Sequence, residues 1–242
     1  MSRRLAPALL LAALLLPVAS AAPPAQPTLP VLPALGAELA GVTVSGVSSG
    51  AYMAVQFQVA HASLVRGAGV LAGGPYACAD GSAWRALTQC MAPSSWAPLP
   101  SVADLRQRSE TLAKQNRIDP LDGLRDDRVW LFSGGRDETV APPVMERLAA
   151  YYAEWLPPSA IRFVRHPEAA HAMISVSESQ PNACGQFASP YINRCDDLDA
   201  AGEILNHLLG PLQAPAATPS GELLSFKQQP YIDGKPIDAS LA

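Results

Sequence analysis

The stretch from Val42 to Leu64, VTVSGVSSGAYMAVQFQVAHASL, decides the fold. Val42 to Ser45 is a short β-type run that ends in Gly46. Ala51 to Leu64 follows with few charges and reads as a buried helix. Between them lies Gly46-Val47-Ser48-Ser49-Gly50, a G-x-S-x-G pentapeptide. A serine on a sharp turn between a strand and a helix is lifted clear of the sheet. The flanking glycines leave room for the two elements to approach. Ser48 is therefore the candidate nucleophile. The Ser49 N–H stands at the helix N-terminus, where it can donate to a developing oxyanion. Ser49 is the rival nucleophile but lacks the glycine frame.

The rest of the chain alternates in the same way. Gly67 to Gly74 (GAGVLAGG), Arg128 to Phe132 (RVWLF) and Ile161 to Val164 are further predicted strands. Trp84 to Cys90, Val102 to Asn116, Pro142 to Trp155 and Leu198 to Leu209 are predicted helices, the last closed by Gly210. The tail from Ser220 to Ala242 has room for one or two strands. Such alternation implies an α/β fold, a mostly parallel sheet with helices on both faces. With the elbow, it implies the α/β-hydrolase arrangement.

In that arrangement the partners follow in the order serine, carboxylate, histidine. Asp137 lies just past the third strand, in Ser133-Gly134-Gly135-Arg136-Asp137-Glu138-Thr139-Val140. Its role would be to hold one imidazole tautomer and stabilise the imidazolium. Glu138 is its local rival. His171 lies in the loop after the fourth strand and would be the general base. Of the other histidines, His61 and His207 fall on predicted helices. His166, at the strand end before Pro167, is the competitor.

Composition narrows the class. The chain has 242 residues and a net charge of -4, so no basic stripe invites nucleic acid. Residues 1–21 read as a signal peptide: Arg3-Arg4, an apolar run from Leu5 to Val18, and a small-x-small site at Ala19-Ser20-Ala21. A membrane anchor is the competing reading, and the run is short for a span. Residues 22–38 form a Pro-rich linker, 39–212 the catalytic domain, and 213–242 a second linker with the start of a C-terminal segment. Four cysteines, Cys78, Cys90, Cys184 and Cys195, suit an oxidising compartment. They allow three connectivities; local pairing is the simplest. A zinc site competes, but there is no C-x-x-C and only four histidines. Secretion, no metal and no organic cofactor are the expectations. Oligomeric state is left open.

These motifs together resemble the secreted depolymerases of short-chain polyhydroxyalkanoates, whose hydrolase fold is circularly permuted. The resemblance runs from Gly41 to the end. It rests on the elbow with Ala51-Tyr52-Met53-Ala54, on Ala72-Gly73-Gly74-Pro75-Tyr76, and on Gly134 to Val140. It continues through Asn182-Ala183-Cys184, Pro190 to Cys195 and Asp199-Ala200-Ala201-Gly202. It implies a triad of Ser48, Asp137 and His171, and a polyester substrate such as poly(3-hydroxybutyrate). Two departures stand out. Ala170 occupies a position where the family often has glycine. The family's C-terminal segment, with a His-Gly-Cys motif supplying a second oxyanion donor, would begin near Ser240-Leu241-Ala242. The expectation is a fold incomplete at its C-terminal side and weak or no hydrolysis of a p-nitrophenyl ester by this chain alone. One missing donor costs about 3 kcal/mol in the transition state. Two other readings share the residues: a carboxylesterase on small or feruloyl-like aryl esters, and a secreted module that binds without cutting.

Overall fold

The computed structural model describes residues 29–214, 216, 218 and 220–231. The predicted signal peptide lies outside them. Two compact units are present, Gly36–Ala217 and a smaller one built from the two chain ends. In the smaller unit the Lys227 N–H donates to the Pro30 carbonyl at 2.7 Å. The described part of the tail holds a 3-10 turn, Gln229–Tyr231, and no strand. The tail is polar and Pro-flanked, and its apolar residues do not alternate as a paired strand requires.

The larger unit is built on four parallel strands in sequential order: β1 (Val42–Val47), β2 (Val65–Leu71), β3 (Arg128–Gly134) and β4 (Ile161–His166). The two central strands are almost wholly buried, as expected for strands covered on both faces. β1 is only partly buried and has no second strand partner among the described residues. Helices α1 (Ser49–Ala60), α3 (Val102–Lys114) and α4 (Pro142–Tyr152) cover one face. There Val55, Leu105, Met145 and Leu148 pack on Val70, Val129 and Leu131. Helix α5 (Ala200–Leu209) covers the other, with Ile204 against Leu71, Trp130 and Phe132. β2 carries Gly69 because a Cβ there would come within 2.7 Å of Ile204. Among the described residues no helix is long and apolar enough to cross a membrane.

Two features depart from the expectation. The helix predicted at Trp84–Cys90 is a short α2 (Ala83–Arg85) that continues as a π-helix over Ala86–Met91. Its end is tied down at Cys90 by the bridge to Cys78 and by the Tyr52 hydroxyl, which donates to the Cys90 carbonyl. A second parallel sheet joins β5 (Met173–Ile174), β7 (Ile192–Arg194) and β6 (Asn182–Ala183). Strands of two or three residues are too short to leave a period in the sequence.

One buried polar chain has a consequence for stability. Tyr152 donates to Gln58 at 2.7 Å, and the Gln58 amide donates to Asp127 at 2.9 Å. The other Asp127 oxygen has no partner among the described residues. Burial pushes this carboxyl up to about 6, with the Gln58 bond opposing. A raised native pKa stabilises the fold below the unfolded value and loses that stabilisation as pH rises through about 6. Asp127→Asn is expected to stabilise the protein by about 2 kcal/mol at pH 8 and not at all at pH 4. Urea unfolding at both pH values checks this; equal effects would contradict it.

Candidate active site

Each predicted site residue leaves the sheet at the same edge. Val47, Leu71, Phe132 and Val164 stand in one register row across β1 to β4. Ser48 follows Val47 directly, Asp137 follows β3, and His171 follows β4. The carboxyl ends of parallel strands are where α/β sheets place functional groups.

Ser48 caps α1 with φ 57° and ψ -122°, a backbone conformation that L side chains seldom adopt. The strain is held by its neighbours. Its N–H donates to the Leu71 carbonyl at 2.9 Å, and its carbonyl accepts from Tyr52 at 3.0 Å. Gly46 makes the turn possible: a Cβ there would lie 2.3 Å from the Gly50 carbonyl carbon and 2.8 Å from the Ala51 nitrogen. These are backbone atoms of α1 and cannot swing aside. Gly46→Ala is expected to cost about 3 kcal/mol, a fall of roughly 10 °C in Tm. A thermal scan checks it; an unchanged Tm would show that the elbow can relax. Ser49 opens the helix, so its N–H has no acceptor within the helix.

Asp137 and His171 meet in the interior. His171 Nδ1 lies 2.8 Å from Asp137 Oδ2, with the carboxylate side chain 2% exposed. The other oxygen, Oδ1, accepts the N–H groups of Thr139 and Val140 at 2.9 and 2.8 Å. One oxygen therefore fixes the carboxylate and the other orients the imidazole. His171 Nε2 and Ser48 Oγ have no hydrogen-bond partner among the described residues. The structure joins Asp137 to His171 directly and brings Ser48 to the same edge.

The competitors separate cleanly. His166 ends β4, and its Nε2 is 3.1 Å from exposed Asp196. His207 bonds the Ala160 carbonyl, and His61 sits past the end of α1. Glu138 makes no bond to a histidine among the described residues. The cysteines pair locally, Cys78 with Cys90 and Cys184 with Cys195. His166, Cys184 and Cys195 do cluster. Their two sulfurs are joined, however, and a thiolate is what a metal would need.

Several contributors were not among the candidate site residues of the sequence. The Thr139 and Val140 amides act through the backbone. Phe187 stands edge-on to the His171 ring at a centroid distance of 5.7 Å. Tyr52, one turn after Ser48, has its hydroxyl pushed well above the ordinary tyrosine value by burial and then by the Asp137 charge, so it stays neutral. A cavity of 430 Å³ opens beside the pair, lined by Arg136, Glu138, Thr139, Gly185 and Phe187.

No family model matches the chain. A poly(3-hydroxybutyrate) depolymerase of Delftia acidovorans is 41% identical over 193 residues, 78% of this chain and 38% of that protein. A polyhydroxybutyrate depolymerase of Talaromyces funiculosus is 34% identical over 190 residues, 77% of this chain and 53% of that one. The crystal structure of PHB depolymerase from Penicillium funiculosum superposes with a TM-score of 0.71 at 31% identity, covering 84% of this chain and 61% of that one. A serine-to-alanine variant of PHB depolymerase, complexed with an R3HB trimer, matches with the same TM-score of 0.71. The chain thus spans 38% to 53% of the length of these curated relatives.

Proposed function

We propose that this chain, which is similar in sequence and fold to poly(3-hydroxybutyrate) depolymerases, is a serine esterase cutting short-chain polyhydroxyalkanoates. The observation that carries the reading is the buried 2.8 Å Asp137–His171 contact at the sheet edge that also presents the strained Ser48. Ser48 Oγ attacks the ester carbonyl carbon and His171 Nε2 takes its proton. The oxyanion is met by the Ser49 N–H. The intermediate collapses, His171 protonates the departing alcohol end of the polymer, and an acyl-enzyme on Ser48 remains. Water, deprotonated by His171, then frees the hydroxyacid end. Asp137 orients His171 and stabilises its charged form throughout. The steps so written draw on no metal or organic cofactor.

A polyester rather than a small ester is supported by the R3HB trimer held by a protein of the same fold. Secretion is supported by residues 1–21 and by two disulfides, which persist in oxidising compartments. We assign residues 39–212 as the catalytic region.

The test is a fluorophosphonate probe on the full-length protein, followed by peptide mass mapping and assay on a poly(3-hydroxybutyrate) film. The expected adduct is on Ser48, and labelled protein releases no soluble hydroxyacid. An adduct elsewhere, or unimpaired release after labelling, would refute the assignment. A film rate negligible beside that on short monoesters would move the substrate to small esters.

A further inference from the structure

We propose that Asn193 is a positioning residue for His171, acting through the segment Cys184–Phe187; this rests on the reading of His171 as the base. Asn193 lies in β7, fully buried. Its side-chain amide donates twice, to the Cys184 carbonyl at 2.9 Å and to the Gln186 carbonyl at 2.7 Å. The Cys184 carbonyl also accepts the N–H of Ala170 at 3.0 Å. Ala170 is bonded covalently to His171. The Gln186 carbonyl belongs to the peptide that leads into Phe187, whose ring stands edge-on to the imidazole. A single amide group therefore anchors both sides of the histidine: the backbone before it and the aromatic ring against it.

The chemistry requires this residue type. Both contacts are to carbonyl oxygens, so the group must offer two N–H donors and carry no negative charge. Asparagine's NH2 does this. Aspartate would set a carboxylate against two carbonyls, and an aliphatic side chain would take this donor from the Gln186 carbonyl and leave the Cys184 carbonyl with Ala170 alone. The Asn193 oxygen is itself buried with no partner among the described residues. Half of this amide is unsatisfied among the described residues, an unfavourable arrangement for mere filling. The Cys184–Cys195 bridge closes the same loop covalently but reaches neither Gln186 nor Phe187. The amide therefore adds a second restraint to the orientation that the Asp137 contact gives the imidazole.

In the full-length protein, Asn193→Ala is expected to lower kcat on a soluble p-nitrophenyl ester about 30-fold. KM should stay within about twofold, because no substrate contact is removed. The assay is run where circular dichroism shows the variant folded. Phe187 is exposed, so Phe187→Leu should fold normally. It is expected to lose about fivefold in kcat, and the double variant should be no slower than Asn193→Ala alone. Full kcat in Asn193→Ala, or multiplicative losses in the double variant, would overturn the proposal. If Asn193→Ala does not fold, Phe187→Leu decides: unchanged kcat, or a change in KM alone, counts against it. His171→Ala separates the two levels. Retained turnover there sinks the reading of the site, whereas lost turnover with full kcat in Asn193→Ala sinks only this inference.

Discussion

Ser48→Ala in the full-length protein is expected to lower kcat for ester hydrolysis about 10⁶-fold while leaving the fold intact. The loss is large because the acyl-enzyme needs a nucleophilic hydroxyl, and the Ser49 N–H can only stabilise charge that a nucleophile has created. The fold should survive because the Ser48 hydroxyl makes no hydrogen bond among the described residues. The backbone bonds of Ser48 to Leu71 and Tyr52 do not involve the side chain. Ser48→Gly sharpens the test. With φ at 57°, the native residue carries strain that glycine relieves. Ser48→Gly should be equally inactive yet more stable than Ser48→Ala by about 1 kcal/mol. Parallel kinetics and thermal unfolding check both statements. Activity within tenfold of the unsubstituted protein would remove Ser48 from the mechanism.

The second large effect is that of Asp137→Asn, about 10⁴-fold in kcat with Tm nearly unchanged. The reason lies in how the carboxylate is held. Oδ1 accepts two backbone N–H groups, from Thr139 and Val140. An asparagine must keep its oxygen there, since turning it over would set an NH2 against two donors. Its NH2 then faces His171 Nδ1. The imidazole is forced to accept at Nδ1 and to carry its proton on Nε2, the nitrogen that takes the Ser48 proton in the proposed mechanism. The geometry stays and the tautomer is wrong. Steady-state kinetics with a thermal scan measures the split. A variant that loses stability and activity together would show that Oδ1 is not the anchor.

Much of this was legible before any coordinates. The elbow around Ser48 was readable because its physics is local: a glycine at position 46, a strand before it and a helix after it. Asp137 and His171 were readable through chain order and position after strands. In the sequence, His171 is preferred over His166 because a loop residue is free to turn back over the nucleophile and because the resemblance implies it. The structure supplies the physical separation, since His166 ends β4 beside Asp196 and His171 meets Asp137. The π-helical winding at Ala86–Met91 was not legible, because Tyr52 and Cys78, which hold Cys90, lie 38 and 12 residues away. The small sheet of β5, β6 and β7 was not legible either. Its strands are fixed by side-chain amides and a disulfide rather than by hydrophobic alternation.

By itself the sequence determined the α/β class, the order of strands and helices, the elbow with Ser48 and the candidates Asp137 and His171 that follow it. Those properties are written in short windows, in the periodicity of apolar residues and the conformational demands of glycine. Only the tertiary structure decided which histidine faces which carboxylate, how the cysteines pair, and which amides hold the site. These depend on atoms that are remote along the chain and adjacent in space. A 2.8 Å contact between residues 34 apart is set by the packing of β3 against β4 and leaves no trace in either window.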